Sequence, residues 1–139
     1  MKLTDHISIE EATHTGTGLQ NIPSEQQLAA MRLVAEKVFE PLRQHFGQPI
    51  RINSFFRSPA VNKAVGGVPS SQHVLGEAID LHCDTVGDRV IFDYVRLYLH
   101  YDQVILEPTW VHVSYKATGN RQQALTAKKV NGKMIYSAV

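Results

Sequence analysis

A carboxylate in the middle of an apolar strand constrains this chain more than any other feature. The stretch SSQHVLGEAIDLHC runs from Ser70 to Cys83, with Asp80 between Ile79 and Leu81 and His73 seven positions earlier. A strand sends successive side chains to opposite faces. Ala78 and Asp80 therefore share one face, and Ile79 and Leu81 take the other. Small Ala78 leaves room beside the carboxylate, and Gly76 lets the backbone turn closely between histidine and strand. The fold has to supply a sheet with one apolar face and one that carries chemistry.

Imidazole nitrogen and carboxylate oxygen are zinc donors, and a catalytic zinc site takes three protein ligands and keeps one position open. His112, in TWVHVSY, is the best third ligand. Val111 and Val113 flank it and point to the core side, so His112 and Trp110 share the other face. A two-residue turn at Pro108-Thr109 sets Glu107 across from Trp110 and Ile105 across from His112. Glu107 then lies on the same face as His112, one diagonal away, where a general base would stand beside a metal and its water. Spacing alone leaves the triplet open between a metal site and three separate structural side chains.

The surrounding pattern predicts an α+β domain spanning 1–139, with helices packed on a mostly antiparallel sheet. Residues 1–23 read as an irregular arm with a helical turn at Ser8–Ala12. Ser24 and Gln27 form a capping box. Leu28, Met31, Ala35, Val38, Leu42 and Phe46 follow at helical spacing. Pro41 should kink or split that helix, and Gly47 ends it. Ile50–Phe56 reads as a strand, Pro59–Val65 as a short helix capped by Ser58, and Glu77–His82 as a strand. Asp84–His100 is expected to be an amphipathic helix with Val90, Tyr94, Leu97 and Tyr98 on one face. Two strands follow, Asp102–Glu107 and Trp110–Tyr115. The terminal ALTAKKVNGKMIYSAV predicts a hairpin turning at Asn131-Gly132.

Composition excludes several functions. The formal net charge is +1 over 139 residues, and the basic residues are scattered; no nucleic-acid footprint is visible. The single cysteine, Cys83, excludes an internal disulfide and a Cys-rich zinc site, while seven histidines leave room for a His/Asp site. MKLTDHISIEE has no apolar core of a secretory signal, and no stretch approaches the ~20 apolar residues of a membrane span. The chain is expected to be made in the cytoplasm, as a monomer, with no membrane partner.

The motif Ser71-x-His73-x-x-Gly76-x-Ala78-x-Asp80, followed by Trp110-x-His112-x-Ser114, resembles the zinc D-Ala-D-Ala carboxypeptidase and peptidoglycan endopeptidase family with the Hedgehog/DD-peptidase fold. The segments PLRQHFGQPI, INSFFRSPAVNKAVGGVPSSQH and NRQQALTAKKVNG resemble its phage-type branch. The resemblance implies Zn²⁺ on His73, Asp80 and His112, and a peptidoglycan peptide as substrate. It implies that Arg57 holds a substrate carboxylate or carbonyl or steadies the tetrahedral intermediate, and that Ser71 orients the substrate. Trp110 reads as core, as a substrate platform, or as both.

Two positions depart from the family pattern. Phe55 stands where many relatives have glycine, which is expected to alter the pocket wall. Thr109 stands where several branches carry the catalytic carboxylate. Glu107 is the nearest carboxylate and is assigned as general base; its alternative is a solvated turn residue. The expected activity is hydrolysis of stem-peptide bonds by a phage or prophage lysis enzyme released through a membrane lesion. The rival readings are a non-catalytic, zinc-stabilised module that binds cell wall or a protein, and a structural phage protein.

Overall fold

The computed structural model describes residues 1–139. The long helical signal forms as expected. Helix α2, Glu25–Val34, begins at Ser24, whose hydroxyl accepts from the Gln27 amide while the Gln27 side chain accepts from the Ser24 amide. Met31, Val34, Ala35, Val38 and Leu42 form a fully buried stripe.

Pro41 deforms the helix without ending it. Residues Ala35–Phe39 form one wide π-turn, in which the Glu40 amide bonds the Ala35 carbonyl. Helix α3 then resumes over Glu40–Phe46. Proline has no amide hydrogen and crowds the turn before it; an extra residue in that turn gives the ring space.

The N-terminal arm is more regular than expected. Strands β1 (Lys2–Thr4) and β2 (Ile7–Ser8) pair antiparallel, and helix α1 (Ile9–Ala12) follows with Ser8 as its cap. Leu3, Ile7 and Ala12 are core residues. Only the stretch from Thr13 to Ser24 is irregular. It is tied down by Asn21, whose amide group donates to the Thr13 and Phe56 carbonyls and whose oxygen accepts from the Ser58 amide.

A six-stranded sheet carries the rest. Its strands are β3 (Arg51–Ser54), β4 (Ala78–His82), β5 (Gln103–Leu106), β6 (Val111–Ser114), β7 (Gln123–Val130) and β8 (Lys133–Ala138). They lie in the order β3-β4-β6-β5-β7-β8. The β5–β7 pair is parallel and the other neighbours run antiparallel. Asn131 and Gly132 have φ of 51° and 78°, as a type I′ hairpin turn requires.

Ile79, Leu81, Val104, Val111 and Val113 bury one face of the sheet in the same core as α2 and α3. The short helix α4, Pro59–Ala64, starts at Ser58 as expected; helix α5, Asp88–Tyr98, joins that core, but not through the expected side. Ile91, Phe92 and Val95 are fully buried, whereas Val90, Leu97 and Tyr98 are exposed. Apolar residues occupy more than half the circumference of α5, so periodicity alone cannot select the packed side. The helix also starts at Asp88 rather than Asp84, capped by Gly87.

Candidate metal centre

Two stretches of the chain, His73–Asp80 and the strand of His112 some 32 positions later, meet on the sheet face opposite the core. Asp80 and His112 are direct partners across the β4–β6 pair. That register puts His112 Nδ1 2.8 Å from Asp80 Oδ1. His73 reaches the same carboxylate from the loop before β4, with Nε2 3.2 Å from Asp80 Oδ2. The three donor atoms all lie within 4.8 Å of one another, and the two imidazole rings meet edge to face at 5.3 Å.

The chemistry of the donors fits a divalent metal ion. His73 Nδ1 lies 2.7 Å from the Phe55 carbonyl oxygen. A carbonyl can only accept, so Nδ1 carries the hydrogen and Nε2 presents its lone pair to the site. Fixing a ligand's tautomer through its far nitrogen is how metal-binding histidines are oriented. Burial opposes ionisation of Asp80, but the two imidazoles beside its oxygens, His112 foremost, outweigh it, and its carboxyl stays well below the usual range. Two imidazole nitrogens and a carboxylate oxygen leave a fourth position free on a tetrahedral ion.

The loop that delivers His73 depends on close packing. Gly76 is buried at φ +76°, and a Cβ there would stand 2.7 Å from the Gln27 carbonyl and 3.0 Å from Met31 Cγ. Both features require glycine. The Gln27 side chain also donates to the Val74 carbonyl, so the capping residue of α2 braces the loop as well. The Arg57 amide bonds the His73 carbonyl, and Ser71 Oγ accepts from the His73 amide. Ser71 is thus seen holding the loop.

Arg57 stands beside the carboxylate. Its Nε donates to Ser54 Oγ at 3.0 Å, one terminal nitrogen reaches Asn62 Oδ1 at 3.3 Å, and the other lies 3.5 Å from Asp80 Oδ2. Partners on three sides orient the guanidinium fork. A cavity of about 350 Å³ opens next to it, lined by His14, Asn53, Ser54, Phe56 and Arg57 among others. Phe55 is buried in the core and its carbonyl serves His73; Phe56, buried in the same core, has an edge on the cavity.

Glu107 lies where the register argument puts it. Ile105 pairs with His112, and the Glu107 amide bonds the Trp110 carbonyl across the turn. Burial pushes its carboxyl pKa up; the nearby His112 opposes this and the Asp80 charge reinforces it. Thr109 is exposed at the turn, and Trp110 is partly buried beside it.

Asp102 escaped the sequence reading. It is fully buried and accepts from the Arg121 backbone and guanidinium, from Ser114 Oγ and from Gln72 Nε2. It joins the loop beside His73 to the strand of His112. Nothing in the sequence marks it, because its partners lie 12 to 30 positions away. The Ser114 of the second motif thus braces the site. His82, at the end of β4, is held by other partners, with Nδ1 2.9 Å from Asp88 and Nε2 3.4 Å from Asp84.

A search of curated proteins finds no match to this sequence. A family model described as peptidase M15 matches residues 6–114, a span that holds all three candidate ligands, Arg57 and Glu107. Members of such a family are metallopeptidases, as the His73, Asp80 and His112 cluster already suggests on chemical grounds. By this match the chain belongs to the peptidase M15 family.

Proposed function

We propose that this protein is a zinc peptidase of the Hedgehog/DD-peptidase type that hydrolyses peptide bonds in peptidoglycan stem peptides. The observation that carries the reading is one sheet face holding His73, Asp80 and His112 with Glu107 a diagonal away. His73, Asp80 and His112 would hold the zinc, which supplies Lewis acidity to a carbonyl and lowers the pKa of water. Glu107 accepts the proton of the attacking water and returns it to the leaving amine. Its half-buried position keeps it a stronger base than an exposed carboxylate. The Arg57 fork binds a substrate carboxylate or steadies the oxyanion. Ser71 orients the substrate peptide, and Trp110 offers it a platform. The likeness of the flanking segments to the phage-type branch supports a lysis role, with access to the wall through a membrane lesion.

The second reading is a zinc-stabilised binding module, which draws support from the exposed Thr109 at a position where several branches carry a carboxylate. Incubation with purified peptidoglycan separates the two. New amine termini that disappear with a chelator support the peptidase. Sedimentation with the wall, without cleavage, supports the module.

A further inference from the structure

The terminal hairpin lies beyond the residues matched to the family, so its role has to be read from its own geometry. Strand β7 runs parallel to β5, and their pairing stops at Leu106 with Thr126. At Glu107 the β5 chain turns away toward β6, whereas β7 continues to Val130. From Ala127 to Val130, β7 is paired with β8 on one side only. Its other edge is an open row of backbone donors and acceptors that starts beside Glu107 and prolongs the track of β5. Such an edge is a template for an added strand.

The same register decides which side chains overlook that edge. Ile105 pairs with both His112 and Leu125, so Leu125 and then Ala127 share the face of the metal ligands. Ala127 pairs with Tyr136, and Lys129 with Met134. Ala127 and Tyr136 are thus direct partners on that face, and Glu107 stands one residue past the last β5–β7 pair, at the end of the row that leads to them. Ala127 leaves the space between the two larger side chains open. Burial pushes the Tyr136 hydroxyl pKa up and the Glu107 charge adds to it, in keeping with their adjacency. Lys128, Lys129 and Lys133 give the hairpin tip a positive charge.

We propose that an extended, carboxylate-bearing peptide segment of the substrate adds as a strand to the free edge of Ala127–Val130, covered by Tyr136 and neutralised by Lys129. The proposal rests on the peptidase reading and deepens it: the hairpin sets how much peptide the enzyme engages on the Glu107 side. Ile135 is the internal control, since it is 48% exposed against 50% for Tyr136 and points to the opposite face.

The test is equilibrium binding of a free stem tetrapeptide and of a dipeptide to the zinc-loaded Glu107→Gln protein. Fluorescence of Trp110, the sole tryptophan, reports binding, and amide exchange reports the edge. Adding Tyr136→Ala should weaken tetrapeptide binding by about three- to tenfold. Lys129→Ala should weaken it less, and Ile135→Ala should leave it unchanged. The dipeptide should be indifferent to all three, and amides within Ala127–Val130 should gain protection only with the tetrapeptide. Equal tetrapeptide affinity in Tyr136→Ala, no protection along that edge, or no tetrapeptide binding at all overturns the proposal. Wild-type cleavage is scored separately. Edge binding without any cleavage refutes the peptidase reading and leaves the edge site standing; cleavage with an indifferent Tyr136 does the reverse.

Discussion

At the scale of single residues, Glu107 is the decisive side chain of the proposed chemistry. It stands five positions before His112, and the two-residue turn at Pro108-Thr109 brings it back toward the face of the three donors. Glu107→Gln should retain the metal and lose about 10²- to 10⁴-fold in turnover, the usual worth of a positioned general base. Metal content and steady-state kinetics of the same preparation check this. The raised pKa of Glu107 has a second consequence. A base works only when deprotonated, so activity should rise with pH along a limb displaced above the ordinary carboxylate range. That limb should be missing from the residual activity of Glu107→Gln.

At the scale of elements, most of the fold was legible where short-range chemistry decides it. The Ser24 cap, the Ser58-Pro59 helix start, the Asn131-Gly132 turn and the β5–β6 register are all local, and each formed as read. The misreadings are tertiary. The buried side of α5 is chosen by the sheet it meets, and the N-terminal hairpin is held by Leu3 and Ile7 reaching a distant core. Gly76 shows the opposite case, a residue legible from sequence whose full demand appears only in packing. Gly76→Ala should destabilise the protein by about 2–3 kcal/mol from backbone strain alone. The thermal midpoint of the metal-free protein should fall by roughly 5–10 °C. An unchanged midpoint would mean that the loop before β4 can adopt another path.

At the scale of the whole molecule, the site is a meeting of segments that only the complete sheet brings together, and Asp102 helps to lock them. Burial opposes its ionisation, but Arg121, Gln72 and Ser114 more than offset that and hold its pKa well below the usual range. A carboxyl depressed in the folded state contributes stability above its unfolded pKa of about 3.9 and loses it as pH falls through the folded value. Asp102→Asn should cost about 2 kcal/mol at neutral pH, with a smaller penalty in acid. Denaturant titrations of both proteins at pH 7 and pH 3 check the sign.

The central claim is that His73, Asp80 and His112 grip one divalent ion. Zinc titration of the metal-free protein, with absorption spectroscopy at the zinc edge, tests it most directly. The expected result is one ion per chain, bound by two imidazole nitrogens and one carboxylate oxygen at about 2.0–2.2 Å, and lost on Asp80→Ala. Zinc that fails to bind, or that binds unchanged in Asp80→Ala, would contradict it.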